Sequence, residues 1–274
     1  MPFFENDHLQ FYYREQGRGI PFFFQHGLGG DTGQSFGVFN PPDGIRMLCF
    51  DCRGHGRTQP LGDPAKLGMA SYSNDLLSLM THLGIEQAIV GGISMGAAVA
   101  LNFTLRSPEH VMGLVISRPA WLDGPMGKSA DIYAMIAQLI RRWGPARGLE
   151  LFKQSEIYTE VLKLSPDAAK SLCGQFENPR AEGSVAILER LPRDAPNADR
   201  RQWASITVPT LILATRQDPI HPFEYGEQIA QIIPNAEFHE ITPKSISKEQ
   251  HVLDAQATIE SFLGDNFTNK LHRE

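Results

Sequence analysis

Residues Gly92–Gly96, which read Gly-Ile-Ser-Met-Gly, decide how the rest of the chain is interpreted. The apolar run Ala88–Val90 precedes them, and the helix-forming run Ala97–Leu101 follows. A buried strand, a Gly-flanked serine and a helix in this order predict a tight strand-to-helix turn with Ser94 at its tip. Such a turn needs glycine on both sides, because a Cβ atom there would crowd the neighbouring strand or helix. A Gly-rich turn with an incidental serine is the alternative, so the rest of the chain must decide.

Strand-like and helix-like segments alternate along most of the chain. The aromatic, partly alternating stretch Leu9–Arg14 is typical of an antiparallel strand at a sheet edge. Short apolar runs predict further strands at residues 21–25, 45–50, 88–90, 111–116, 209–214 and 236–241. Helical apolar spacing predicts helices at residues 71–83, 94–105, 224–233 and 252–263. The alternation predicts an α/β fold with a mostly parallel central sheet flanked by helices.

The alternation stops between Pro119 and Ser205, where only helical spacing occurs and Pro and Gly interrupt it. We therefore predict a helical insertion at residues 119–205. The two flanking parts, residues 1–118 and 206–274, are predicted to form one α/β core domain. A chain of 274 residues is long enough for this arrangement.

Composition and charge favour a cytoplasmic enzyme with a small-molecule substrate. The formal net charge is −6, and no Lys/Arg cluster interleaved with aromatics occurs, which disfavours nucleic-acid binding. No segment reads as a signal peptide or a membrane span. The three cysteines include a C-x-x-C pair, Cys49 and Cys52, but Cys49 lies inside a predicted strand and no second pair of zinc ligands follows. We expect neither a metal nor an organic cofactor, and the sequence leaves the oligomeric state open.

The side chains that would activate Ser94 are expected at the carboxyl ends of later strands. A serine needs a base, which is nearly always histidine, and an acid that orients the histidine. Asp218 follows the strand predicted at residues 209–214, and His251 follows the strand at 236–241, at the start of the last helix. We therefore predict Ser94, Asp218 and His251 as nucleophile, acid and base.

Other residues compete for these roles. Asp123 follows the strand that ends at Ile116 and is an alternative acid. His221 and His239 are alternatives to His251. His221 is expected to lie too close in sequence to Asp218 to reach its carboxylate and also face Ser94, and His239 is expected to pack in or beside the sheet.

Acyl transfer also requires hydrogen-bond donors for the oxyanion. The loop after the strand at residues 21–25 reads His-Gly-Leu-Gly-Gly-Asp, and its glycines permit close approach of the backbone. We predict the backbone N–H groups of Leu28 and Met95 as the two donors.

These features together resemble an α/β-hydrolase-fold enzyme over nearly the whole chain. The matching residues are His26, Gly27, Gly29, Gly30, Asp51, Arg53, Gly54, Gly56, Thr58, Gly92, Ser94, Gly96, Asp218 and His251. The resemblance implies that residues 119–205 form a helical cap over the pocket and that Asp51 and Arg53 bond loops as scaffolding. Within the superfamily, the chain is most similar to small esterases and enol-lactonases of aromatic catabolism.

The resemblance implies a serine hydrolase that cleaves a small carboxylic ester or lactone through an acyl-enzyme on Ser94. A serine at this place disfavours the epoxide hydrolases and dehalogenases, which use aspartate there. The same triad also serves cofactor-free haloperoxidases and perhydrolases, C–C bond hydrolases, acyltransferases and lyases. A catalytically silent small-molecule receptor is the alternative of another class. Trp121 is the predicted pocket wall, and Arg118 would meet an acidic substrate group or pair with a carboxylate of the scaffold.

Overall fold

A computed structural model describes residues 2–269 of the chain. Its strands are β1 (Phe3–Asn6), β2 (Leu9–Gly17), β3 (Gly19–Gln25), β4 (Gly44–Phe50), β5 (Ala88–Ile93), β6 (Val111–Ser117), β7 (Thr210–Ala214) and β8 (Glu237–Glu240). They form one sheet in the order β1-β2-β4-β3-β5-β6-β7-β8. β2 runs antiparallel to both β1 and β4, and all pairings from β4 to β8 are parallel. The predicted α/β fold with a mostly parallel sheet is confirmed.

Helices separate most of the strands and cover both faces of the sheet. They are α1 (Thr32–Val38), α2 (Met69–His82), α3 (Met95–Arg106), α4 (Lys128–Lys153), α5 (Glu156–Leu164), α6 (Pro166–Glu177), α7 (Ala181–Arg190), α8 (Phe223–Ile232) and α9 (Lys248–Leu263). α4 is interrupted at Gly144, whose φ of 72° is not helical. The predicted bounds of α2, α3 and α8 lie within two residues of the observed ones. Helix α9 begins four residues earlier than predicted.

The Phe-rich run of β3 shows why the central strands read as continuously apolar. Phe23 packs into the core beneath α2 and α3, whereas Phe22 and Phe24 pack into the core beneath α9. Successive side chains of a strand point to opposite faces of the sheet. A strand covered by helices on both faces therefore needs apolar residues at every position.

One edge of the sheet differs from the sequence prediction. β2 is antiparallel as expected, but it is not the edge strand, because β1 pairs with its outer side. Phe4 of β1 is buried, and its ring stacks on Phe11 with 4.9 Å between the ring centroids. A four-residue strand carries too little alternation to be recognised in the sequence, although this aromatic contact is enough to hold it. Helix α1 was also not predicted, because it is only seven residues long and holds two glycines, which leaves no clear helical spacing in the sequence.

The segment between β6 and β7 contains helices α4–α7 and short 3₁₀ turns, as its helical spacing predicts. We call residues 119–205 the helical segment. Arg180 joins it to the core, because its Nη1 donates hydrogen bonds to the carbonyls of Gly56 (3.1 Å) and Thr58 (2.8 Å). The predicted core domain, residues 1–118 and 206–274, includes Met1 and residues 270–274, which lie outside the described residues.

The turn after β4 is fastened by buried charges. Asp51 accepts hydrogen bonds from the N–H groups of Thr32 and Arg57, at 2.7 Å each. Arg53 donates two hydrogen bonds to Asp75, at 2.6 and 2.7 Å, in a nearly solvent-free site. Both residues connect separate loops and helices, as expected for scaffolding residues.

Replacing Arg53 by methionine leaves the buried Asp75 carboxylate without its cation. Loss of one partner of a buried ion pair costs about 3–5 kcal/mol. We expect Arg53→Met to lower the free energy of unfolding by about that amount, measured by urea denaturation followed by circular dichroism. The matched control is Arg46→Met, because Arg46 pairs with Glu15 at an exposed site and is expected to matter by less than about 1 kcal/mol. Equal losses in the two variants would contradict this view of the Arg53 site.

Candidate active site

Ser94 occupies a strained corner between β5 and α3. Its backbone angles are φ 55° and ψ −108°, in a region that L residues other than glycine rarely adopt. The Ser94 N–H donates to the Ser117 carbonyl of the neighbouring strand (2.9 Å), and the Ser94 carbonyl accepts from Ala98 (3.1 Å). Strain of this kind costs on the order of 1–3 kcal/mol and is concentrated at functional sites.

The two glycines around Ser94 permit this corner for steric reasons. A Cβ atom on Gly92 would lie 2.6 Å from the carbonyl oxygen of Gln25 and 2.6 Å from the Gly96 carbonyl carbon. A Cβ atom on Gly96 would clash with the same Gln25 carbonyl. The end of β3 thus presses against both sides of the corner, as the sequence predicts.

Two backbone N–H groups are left without acceptors beside Ser94. Met95 is the first residue of α3, so its N–H has no partner within the helix. Leu28 lies in the loop after β3 and shares a pocket with Ser94. Within residues 2–269, neither N–H donates a hydrogen bond. Both groups are therefore available to a ligand atom.

His26 holds the loop that carries Leu28. Its Nε2 accepts a hydrogen bond from the N–H of Cys52 (3.1 Å), so the proton is on Nδ1, which donates to the Gly27 carbonyl (2.9 Å). Burial lowers the pKa of His26 and keeps the ring neutral. The Gly27 N–H donates to the side chain of Gln34 (2.6 Å). The carbonyl and the N–H of Gly27 are therefore both held, which fixes the peptide bond that carries the Leu28 N–H.

The pocket beside Ser94 is small and polar, with a volume of about 60 Å³. Its ionisable lining consists of Arg118, Tyr133, Asp167, Asp218, His221 and Lys244. Two larger clefts, of about 480 and 460 Å³, lie around Arg180, and Ser94 lines neither of them. Known ligand pockets have volumes of about 300–1,000 Å³. The pocket beside Ser94 is smaller than these, so it suits a small chemical group.

Asp218 is the centre of a dense hydrogen-bond network in this pocket. Its Oδ2 accepts from Arg118 Nη2 (2.5 Å) and lies 2.9 Å from His221 Nδ1. Its Oδ1 accepts from the backbone N–H groups of Ile220 (3.1 Å) and His221 (3.3 Å). Burial by itself would raise the pKa of Asp218, but the nearby His221 and Arg118 hold it well below its usual range. Asp218 is therefore a carboxylate at neutral pH.

His251 has a different hydrogen-bond partner. It is in the first turn of α9, and its Nδ1 lies 2.7 Å from the Thr242 carbonyl, to which it donates. Burial, followed by the charge of Arg118, lowers the pKa of His251 to about 4. Within residues 2–269, no hydrogen bond joins His251 to Asp218 or Ser94. The structure thus brings Ser94 and Asp218 to one pocket and places His221 against Asp218.

The fold and the serine corner agree with the comparisons to known proteins. A family model described as alpha/beta hydrolase fold matches residues 20–245. The chain belongs to the α/β-hydrolase fold family. The resemblance found in the sequence is thereby confirmed.

Relatives of this α/β-hydrolase include a semialdehyde hydrolase and enol-lactonases. The chain is 29% identical over 247 residues to a 2-hydroxymuconate semialdehyde hydrolase of Pseudomonas putida, covering 82% of this chain and 80% of that one. It is 26% identical over 202 residues to 3-oxoadipate enol-lactonase 2 of Acinetobacter baylyi, covering 73% and 72%. The solved enol-lactonase of Burkholderia xenovorans superposes with a TM-score of 0.72 at 21% identity, over 96% and 99% of the two chains. The protein is thus a hydrolase-family member with esterase and lactonase relatives.

The competing acid and histidine are engaged elsewhere in this α/β-hydrolase. Asp123 accepts hydrogen bonds from Arg200 Nε (2.9 Å) and Nη2 (2.5 Å) and does not line the Ser94 pocket. His239 of β8 has about half of its side chain exposed, beside Glu237, rather than packed in the sheet. We expected that His221 could not reach the Asp218 carboxylate and also face Ser94, and the first part is wrong, because the turn after β7 folds the ring back onto Asp218.

Trp121 is buried and lines a second, smaller void together with Ile116 and Ile229, and Ser94 lines this void as well. Its indole N–H has no hydrogen-bond partner within the described residues. Its predicted place in the substrate-binding wall therefore remains a prediction.

Three pocket residues were missed in the sequence of this α/β-hydrolase. Tyr133 lies in α4, and its helical spacing there gives no sign of the pocket. Asp167 lies in the first turn of α6, where an acidic residue is common at any helix start. Lys244 lies in the polar stretch before His251, where no motif marks it as a pocket residue.

The two cysteines of the C-x-x-C pair are fully buried. Burial raises the pKa of Cys49 to about 12 and that of Cys52 well above its usual range, so both thiols stay protonated at neutral pH. No helix in residues 2–269 is long and apolar enough to cross a membrane.

The steric role of Gly96 can be tested by a single added methyl group. We expect Gly96→Ala to lower the free energy of unfolding by about 1–3 kcal/mol, because its Cβ would meet the Gln25 carbonyl. The control is Gly37→Ala in the exposed part of α1, where a Cβ meets nothing within 4 Å and the change is expected to be neutral or stabilising by up to about 1 kcal/mol. Denaturant unfolding of both variants gives the comparison. A neutral Gly96→Ala would mean that the corner is not constrained in this way.

Proposed function

We propose that this protein is a serine hydrolase that cleaves a small carboxylic ester or lactone through an acyl-enzyme on Ser94. One observation carries the proposal: Ser94 is held in a strained backbone conformation at a pocket that also contains a carboxylate-bound histidine. The two N–H groups without acceptors, at Leu28 and Met95, add the donors that acyl transfer requires.

The proposed reaction has two halves. Ser94 Oγ attacks the substrate carbonyl carbon while a histidine takes the Oγ proton. The N–H groups of Leu28 and Met95 hold the oxyanion of the tetrahedral intermediate. The intermediate collapses as the histidine gives its proton to the leaving alcohol oxygen, and the ester bond breaks. The same histidine then removes a proton from water, which attacks the acyl-enzyme. The histidine returns this proton to Ser94 Oγ as the acyl–Oγ bond breaks and the carboxylic acid is released. These steps require no metal and no organic cofactor.

We propose His221 as the histidine that carries out these transfers, in place of the predicted His251. An acid orients a catalytic histidine through its Nδ1, which leaves Nε2 to face the serine. His221 makes this contact with Asp218, whereas the Nδ1 of His251 is taken by the Thr242 carbonyl. Burial lowers the pKa of His221, so the ring is neutral and able to accept a proton at pH 7.

The helical segment is proposed to act as a cap that limits substrate size. Tyr133 of α4 and Asp167 of α6 line the same pocket as Ser94. Gln175 of α6 donates a long hydrogen bond to the Leu28 carbonyl (3.4 Å), which ties α6 to the loop with the proposed oxyanion donors. A pocket closed by helices in this way favours short acyl groups.

The nucleophile is tested by removing one hydroxyl. We expect Ser94→Ala to reduce hydrolysis of p-nitrophenyl acetate by roughly 10⁴-fold or more and to abolish labelling by a fluorophosphonate probe. The matched control is Ser171→Ala, since Ser171 lines the same pocket on α6 and is exposed. It is expected to keep both activities. Retained turnover in folded Ser94→Ala would remove the proposed function, and a folded wild type that neither hydrolyses nor labels would favour a silent receptor.

The base is tested with a matched pair of asparagine variants. The Asn amide nitrogen takes the place of Nδ1, so His221→Asn keeps the donor to Asp218 and His251→Asn keeps the donor to Thr242, while both lose Nε2. General acid–base catalysis contributes about 10²–10⁴-fold, so we expect His221→Asn to lower kcat by at least about 100-fold. His251→Asn is expected to lower kcat by no more than a few fold. Thermal unfolding checks that both variants are folded, and the reverse order of kcat values would assign the base to His251.

A further inference from the structure

We propose that the Ser94 pocket recognises substrates that carry one carboxylate in addition to the ester or lactone, and that Arg118 and Lys244 bind this carboxylate. The inference deepens the proposed function and rests on it only in placing the reacting carbonyl at Ser94. It is drawn from the hydrogen-bonding capacity and the charge balance of the pocket.

Arg118 has unused donor capacity in a buried position. It follows β6 directly, has a φ of 50° and is 9% exposed. Its Nη2 donates to Asp218, but its buried Nε has no hydrogen-bond partner within residues 2–269. A buried donor without an acceptor is destabilising, and more so when the group is charged. A strained, incompletely satisfied arginine lining a pocket points to a ligand that supplies the acceptor.

Lys244 faces the same pocket without a close carboxylate. Its Nζ lies 4.0 Å from Asp167 Oδ2, which is beyond hydrogen-bond distance. Asp167 instead holds Lys248 at 2.7 Å. Burial, followed by the charge of Arg118, lowers the pKa of Lys244 to about 8. An anion that binds beside this buried lysine stabilises its charged form, so the interaction favours anion binding.

Lys248 bonds Asp167 from outside the pocket lining, and when it is counted the charged groups in and beside the pocket carry one positive charge in excess. Arg118 is balanced by Asp218, and Lys248 is balanced by Asp167, so Lys244 remains. His221 adds no charge, because burial keeps it neutral. A single excess positive charge matches a monoanion such as a carboxylate, whereas a phosphate dianion would overcompensate it. The small pocket volume also fits a group of this size.

Binding is measured first, without turnover, in the Ser94→Ala protein. The ligands are monoethyl glutarate and ethyl pentanoate, which differ by a carboxylate in place of a terminal methyl group. A hydrogen bond to a charged group contributes enough for tenfold or more in affinity. We expect monoethyl glutarate to bind at least about tenfold more tightly by isothermal titration calorimetry, with the difference decreasing as salt is added.

The contribution of Lys244 is tested by introducing Lys244→Met into the Ser94→Ala protein. Lys244→Gln is the second variant, in case the first does not fold. The matched control is Lys170→Met, which removes the same charge from an exposed position on α6. We expect the preference for monoethyl glutarate to fall by at least about tenfold with Lys244→Met or Lys244→Gln, and to persist with Lys170→Met. The same order is expected for kcat/KM of ethanol release by the proteins that retain Ser94.

The outcomes separate this inference from the proposed function. Equal binding of the two esters to Ser94→Ala, or a preference that survives loss of Lys244, overturns the carboxylate site. Inorganic phosphate that displaces monoethyl glutarate more effectively than acetate would also overturn the assignment of a carboxylate. A clear preference for the anionic ester in a protein that never hydrolyses it would instead keep the binding site and remove the hydrolase.

Discussion

The close contact between the end of β3 and the corner at Ser94 is the constraint on which the site depends. The carbonyl of Gln25 lies where a Cβ atom of Gly92 or Gly96 would be, so the corner can form only with glycines. The Gln25 side chain makes the contact rigid, because its amide both donates to and accepts from the backbone of Phe50 at 3.1 Å. One residue thus positions the corner at Ser94, and the loop with Leu28 begins directly after it.

Asp218 is the second organising group, and its effect is electrostatic. Four hydrogen bonds converge on one buried carboxylate, and the charge of Arg118 keeps it ionised. Because Asp218 is fully occupied by Arg118 and His221, a third side chain such as His251 would have to displace one of them. The hydrogen-bond capacity of a single carboxylate therefore determines which histidine it orients.

The sequence predicted those parts of the site that depend on local chain geometry. Ser94 follows from a strand, two glycines and a helix within a few residues, and Leu28 follows from a Gly-rich loop after a strand. The histidine could not be assigned in this way, because His221 and His251 both follow strands and the sequence does not give the direction of their side chains. β1 escaped for a related reason, since its stability comes from the contact of Phe4 with Phe11 and not from any pattern within its four residues.

The helical segment and the core must meet for the pocket to have its charge. Arg118 and Asp218 come from the carboxyl ends of β6 and β7, whereas Asp167 comes from α6. Lys248 of α9 binds Asp167 at 2.7 Å, whereas Lys244 lies 4.0 Å from it. The charge around Ser94 therefore depends on how α6 packs against the core. A movement of α6 that separated Asp167 from Lys248 would alter both the electrostatic field at Ser94 and the size of the pocket.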